Sequence, residues 1–260
     1  SDLPIESEKT PDGKFKLAQL VRANRELERI CRAYRLPCVS GKDSMKNDYG
    51  KGPNKISIPP TLLFSLFGDH PDVRNSATSD LKHPGDKLYL VGESLEELGA
   101  SELAFMMTES GHAAGIGGNV PLLTDPNRLF SSYRALSKAI NSGVVKTAHD
   151  CSEGGLGVAL AEMCIGGRIG AKIDIDGTGN ISTWARLWGE SLGRIIIAVS
   201  PQNNAKFLEL MTGHTTTFLG EVEATTQLSI VDGFDELISI EVNDLVTSWQ
   251  GTLDLTGGVA

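Results

Sequence analysis

Beyond residue 86 the chain interleaves two kinds of segment, and their order limits the fold. KLYLVG (87–92) and RIIIAVS (194–200) read as strands, the second rich in β-branched residues. AKIDID (171–176), TTFLGEV (216–222), QLSIVD (227–232) and ELISIEV (236–242) read as further strands, with 216–222 and 227–232 expected to pair with each other. Helical spacing is expected over 126–142, 156–166, 201–212 and 243–250, and 97–107 is helical or half-helical. A parallel βαβ sheet would alternate strand and helix strictly. This order does not, and it predicts a mixed α+β fold with the sheet covered by helices. No internal repeat at a fixed period is present.

Upstream, Phe15 to Leu36 reads as one amphipathic helix. Leu17, Leu20, Val21, Asn24, Leu27, Ile30, Cys31 and Tyr34 share the face expected to be buried, and Pro37 stops the helix. CVS (38–40) is expected as a short strand and 41–55 as a long polar loop. IPPTLLFSLFG (58–68) is a continuous apolar run of buried-strand type. A turn-rich linker over 70–86 places a domain boundary near residue 75. The division expected is therefore a polar linker over 1–14, one partial domain over 15–75 and a complete domain over 76–260. With this linker-like start and no initiator Met, a processed piece of a longer chain is expected.

Apolar residues make up 40% and charged residues 22% of the 260 positions, enough to build a sizeable core. A net charge of −9 excludes a general nucleic-acid surface but not a small anionic ligand held through a metal or a helix N-terminus. The polar, acidic start is no signal peptide, and no apolar run reaches bilayer-spanning length. Cys31, Cys38, Cys151 and Cys164 form no CxxC and fit ordinary buried thiols of a reduced, cytoplasmic protein.

TAHDCSEGGLGVALAEMC (147–164) carries the densest chemistry. Ser152 suits the N-cap of a helix starting near Gly155, with Glu153 in an acidic first turn. That explains neither His149 and Asp150 nor the adjacent Gly154 and Gly155, each costing about 1 kcal/mol in a helix. Glycines there suit a close approach to the backbone. A carboxylate, a hydroxyl and free amides are what a metal-phosphate group needs. Three other stretches are weaker. SGKDSMKN (40–47) packs charge and hydroxyls into a loop after a strand end. In WGESLGR, Arg194 could hold a phosphate or form a surface ion pair with Glu190. The glycine-rich stretch 97–121 holds His112, read as an exposed loop residue, and Met106-Met107, read as core filler.

Taken together these stretches resemble the aminoimidazole-ribonucleotide-synthase-like superfamily. AHDCSEGGL is similar to its HDxSDGGL signature, ELGASE to its ELGGSE loop, GESLGRIIIAV to its ESxxR strand and PPTLLFSLFG to its PTPxxxxxG strand. VSGKDSMKN resembles the loop that ends the second A domain in the phosphoribosylformylglycinamidine synthases. The agreement runs from Leu17 to Val242 in family order. Glu153 departs from the family's usual Asp.

The resemblance implies the end of an A domain followed by a complete B domain, part of an ATP-dependent C–N ligase of purine biosynthesis. That enzyme activates a formamide oxygen of its ribonucleotide substrate with ATP and displaces phosphate with ammonia from glutamine. ATP/ADP and Mg2+ are the implied cofactors. Remaining synthase domains and a glutaminase domain or subunit are the implied partners, and exposed apolar surface could make a homodimer. Asp150 would be a Mg2+ ligand, and Ser152, Gly154, Gly155 and Gly41 would contact nucleotide. Ser44 would contact substrate, and Lys42 or Asp43 would approach the metal. No catalytic residue is expected in this chain, which would be inactive alone. Two readings stand beside this one. One is a non-catalytic scaffold holding a nucleotide. The other is a different superfamily member, such as a synthase of aminoimidazole ribonucleotide, a thiamine-phosphate kinase or a selenophosphate synthetase.

Overall fold

The structure is a computed structural model that describes residues 13–42, 48–50, 54, 56–57, 61–70, 72–111 and 118–251. The chain divides into two compact units, Ser1–Pro71 and Asp72–Ala260.

In the first unit, helix α1 spans Gly13–Tyr34. It ends two residues before the expected Leu36 because Arg35 turns left-handed, at φ 56°. Its apolar stripe is not the buried face expected, since Phe15, Leu17 and Val21 are exposed. Residues 38–40 form no strand. The described part of the apolar run, 61–68, forms none either, and Leu63 and Phe67 are 91% and 88% exposed. A strand needs an edge to bond to. Among the described residues of this unit the only pairing is the two-residue ribbon of β1 (Asp48–Tyr49) with β2 (Ile56–Ser57).

The second unit holds β3 (Lys87–Val91), α2 (Glu102–Glu109), α3 (Pro126–Asn141), β4 (Thr147–Asp150), α4 (Gly155–Gly167), β5 (Gly170–Asp174) and α5 (Thr183–Trp188). It continues with β6 (Ile195–Val199), α6 (Asn204–Leu210), β7 (Thr216–Glu223), β8 (Gln227–Asp232), β9 (Asp235–Glu241) and α7 (Val242–Gly251). The seven strands form one sheet in the order β4-β6-β3-β7-β5-β8-β9, antiparallel except for the parallel β5–β8 pair. The α+β layer fold is as expected, but β7 and β8 do not pair. β5 lies between them, bonded to both.

Alternation along β3 and β6 explains why both read as unbroken apolar runs. Leu88, Leu90, Ile196 and Ala198 face one layer, formed by Leu156, Leu160 and Met163 of α4 with Val242 and Val246 of α7. Tyr89, Val91, Ile197 and Val199 face the other, formed by Ala135, Leu136 and Ala139 of α3 with Phe207 and Met211. Strands covered on both faces carry no polar alternation. Tyr89 also donates its hydroxyl to Asn204 Oδ1 at 2.6 Å, fixing the start of α6. α3 begins where Asp125 accepts from Arg128 N–H, with Pro126 in the first turn. Among the described residues no helix is long and apolar enough to cross a membrane.

Candidate functional site

β4 ends at Asp150 and α4 begins at Gly155, so Cys151 to Gly154 form a tight connection off one edge strand of the sheet. Asp150 stands at this strand end with its side chain 67% exposed. The Ser152 hydroxyl donates to its Oδ2, which chiefly holds the carboxyl below the usual range against partial burial, with His149 adding to the effect. His149 Nδ1 lies 3.5 Å from Asp150 Oδ1, while Nε2 bonds Glu162 Oε2 of α4 at 2.7 Å. A carboxylate accepts, so this bond is donated by Nε2–H. The imidazole lies between the two carboxylates, with Glu162 on its Nε2 edge and Asp150 on its Nδ1 edge.

Ser152 is therefore not the helix cap. The N-cap is Gly154, at φ 76° and without a side-chain hydrogen bond. What approaches the glycine pair closely is the chain itself. A Cβ on Gly155, which has φ +65°, would lie 2.5 Å from Gly189 O and 2.9 Å from Leu187 O. A Cβ on Gly154 would lie 2.3 Å from Val158 Cγ2. Both amides already have partners: Gly154 N–H donates to Glu190 Oε1 at 2.9 Å and Gly155 N–H to Ser152 O at 3.0 Å.

Glu190 is the residue whose role the sequence concealed. The same Oε1 accepts from Glu102 N–H at 2.9 Å, so one carboxylate holds the starts of α2 and α4 together. Arg194 does not pair with it at the surface. It is 1% exposed, and donates to Ser94 Oγ at 3.0 Å, to Ser191 O at 3.2 Å and to Gly189 O. Burial pulls its guanidinium below the ordinary value. Arg194 is a staple for the loop that carries Glu190.

A cavity of about 100 Å3 opens beside Gly92, Glu97, Arg128, Leu192 and Thr215. Glu97 Oε1 accepts from Leu122 N–H at 3.2 Å, and its buried Oε2 has no hydrogen-bond partner among the described residues. Glu97 opens the ELGASE stretch, but no role was assigned to it from the sequence. Met106 is exposed rather than core filler. Of the loop candidates, Gly41 and Lys42 are exposed in the first unit, while Asp43, Ser44 and His112 lie outside the described residues.

As a donor for a magnesium ion Asp150 has the right chemistry, a hard, exposed, ionised carboxylate, and the exposed Ser152 hydroxyl beside it suits a phosphate oxygen. Among the described residues no three His, Cys, Asp or Glu side chains cluster to hold a metal.

Comparison with known proteins adds to this geometry. The chain is 33% identical over 252 residues to the phosphoribosylformylglycinamidine synthase subunit PurL of Deinococcus radiodurans, covering 94% of this chain and 32% of that protein. It is 34% identical over 222 residues to the same subunit of Limosilactobacillus reuteri, covering 85% and 27%. The chain thus spans about a third of the length of these relatives. In fold it is similar to Thermotoga maritima PurL complexed with FGAR, at TM-score 0.54 and 21% identity over 65% of this chain and 29% of that one. Phosphoribosylformylglycinamidine synthase II from Thermotoga maritima matches at TM-score 0.51 and 20% identity over 65% and 27%. Residues 83–233, more than half of the sequence, match the model for the C-terminal domain of AIR synthase related proteins. With its mixed sheet and covering helices, the chain belongs to the AIR synthase related protein family, of which it carries the C-terminal domain.

Proposed function

We propose that this chain is the C-terminal synthase region of an ATP-dependent phosphoribosylformylglycinamidine synthase, and that the β4–α4 connection is one wall of its magnesium-nucleotide site. The observation that supports this best is Asp150: an exposed carboxylate, kept ionised by the Ser152 hydroxyl, at a strand end in a chain about a third identical to PurL. Residues 15–75 would be the end of the preceding A domain and 76–260 the B domain. The reaction would need the other synthase domains and a glutaminase as ammonia source, because the chain spans only about a third of its relatives. Alone it would be inactive. We place the enzyme in the cytoplasm.

Asp150 would ligate Mg2+, and Ser152 would turn its hydroxyl from Asp150 to a phosphate oxygen. Bound Mg2+ would neutralise charge on the transferring phosphoryl group. Contact at the Gly154 amide requires a phosphate to displace the Glu190 carboxylate, an anion already seated there. Gly41, Ser44 and either Lys42 or Asp43 would face ATP, substrate or metal from the preceding domain.

Calorimetric titration of ADP into the chain, with and without Mg2+ and repeated on Asp150→Ala, tests the reading. Magnesium-dependent heat that disappears in the variant is expected. No heat at millimolar ADP with an intact circular dichroism spectrum, or equal binding by the variant, would overturn it.

A further inference from the structure

The end of α1 folds the chain back on itself. Leu36 N–H donates to Cys31 O at 3.0 Å and Arg35 N–H to Arg32 O at 3.4 Å, the paired bonds of a Schellman reversal around the left-handed Arg35. Pro37 cannot rejoin the helix. The chain leaves in the opposite sense, and Cys38 returns over the last turn with its Sγ 3.7 Å from Cys31 Sγ. Both thiols are free, Cys38 exposed and Cys31 half-buried. They are unlike Cys151 and Cys164, which are buried and whose thiols are pushed up to about 11 and about 12. The expectation of ordinary buried thiols thus holds for that pair alone.

We propose that Cys31 and Cys38 are a redox-sensitive dithiol that closes to an intramolecular disulfide on exposure to hydrogen peroxide. An S–S bond of about 2.05 Å requires the sulfurs to approach by between one and two ångströms. Residues 36–42 carry no regular structure, so Cys38 can move without breaking a helix or a ladder. Cys38, the more exposed sulfur, reacts first. Its thiolate attacks one peroxide oxygen, the O–O bond breaks, hydroxide leaves and a sulfenic acid remains. The Cys31 sulfur then attacks the Cys38 sulfur. The S–S bond forms, the S–O bond breaks, and the departing hydroxide takes up a proton as water. The two thiols lose two electrons, and the peroxide is reduced to two waters. Sharing a hydrogen bond with Cys38 holds the Cys31 thiol above its ordinary value, which suits the resolving partner rather than the first nucleophile. The closed ring ties the segment leading to Gly41 and Lys42 to the helix end, whatever that loop binds.

The test treats the intact chain with hydrogen peroxide, alkylates it after denaturation, digests it with trypsin and reads the peptides without reductant by mass spectrometry. Ile30–Arg32 and Leu36–Lys42 are expected as one linked pair, lighter than their sum by two hydrogens and separated by dithiothreitol. Cys151 and Cys164 should be recovered alkylated. In Cys31→Ser the linked pair should vanish, and dimedone should trap a sulfenic acid at Cys38. Accumulation of that sulfenic acid in the unsubstituted chain with no linked pair would overturn the proposal. So would disulfides found only between chains.

Discussion

Leu62 to Phe67 in the first unit and Ile195 to Val199 in the second are similarly apolar, yet their environments are opposite. Ile196 and Ile197 are fully buried, each against its own helical layer, while Leu63 and Phe67 stand almost wholly exposed. The helices repeat the contrast. The stripe of α1 is exposed at Phe15, Leu17 and Val21, whereas the same kind of periodicity in α3 puts Ala135, Leu136 and Ala139 against the sheet. Apolar patterning states which side of an element avoids water. It does not supply the surface that covers that side.

The widest gap should appear on truncating one leucine from each unit. Leu160→Ala removes a fully buried side chain between α4 and the sheet and should cost about 2–5 kcal/mol in urea denaturation followed by circular dichroism. Leu63→Ala should stay within about 0.5 kcal/mol. An equal cost at Leu63 would mean that the run is covered in solution, and the comparison would fail.

Arg194→Met should follow at about 3 kcal/mol, because it strips partners from Ser94 Oγ and from two buried carbonyls. Glu190→Ala should cost about 1–3 kcal/mol by freeing the amides of Gly154 and Glu102. Its amide exchange should quicken at both positions. Exchange changed at only one would show that Glu190 does not bridge α2 and α4.

Thiol titration in the native state sharpens the contrast without a free energy. Cys38 should react first with a disulfide reagent near pH 8, Cys31 after it, and Cys151 and Cys164 only as the fold opens, because thiols raised to about 11 and about 12 hold almost no thiolate there.

The smallest effect concerns acid. Asp150 is depressed in the folded state, so its contribution is fully present above the unfolded value near 3.8 and is lost as pH falls through the lower folded value. Asp150→Asn should flatten that limb by only a few tenths of a kcal/mol, since the side chain is mostly solvated. A limb unchanged in the variant would show that the Ser152 bond does not persist in solution.

The site was partly legible. The glycine pair announced a close approach, but only the folded chain shows that Gly189 and Leu187 make it. Asp150 and Ser152 stood out as a carboxylate and a hydroxyl two residues apart, and the structure brings them into contact at a strand end. Glu190, 36 residues from Gly154, gave no local sign of its bridge. β4 was missed because its four residues read as the approach to a helix. They become a strand by pairing with Ile195–Ala198 of β6.

Properties encoded within a few residues were determined by the sequence alone: the helices α1, α3 and α4 and the apolar strands β3 and β6. Partner choice belonged to the tertiary structure. It set β5 between β7 and β8 and buried Arg194 instead of pairing it at the surface. Propensity and periodicity act along a few turns of chain. Burial, strand pairing and the fate of a charge depend on groups far apart in sequence, whose meeting is decided by how the whole sheet and its layers close.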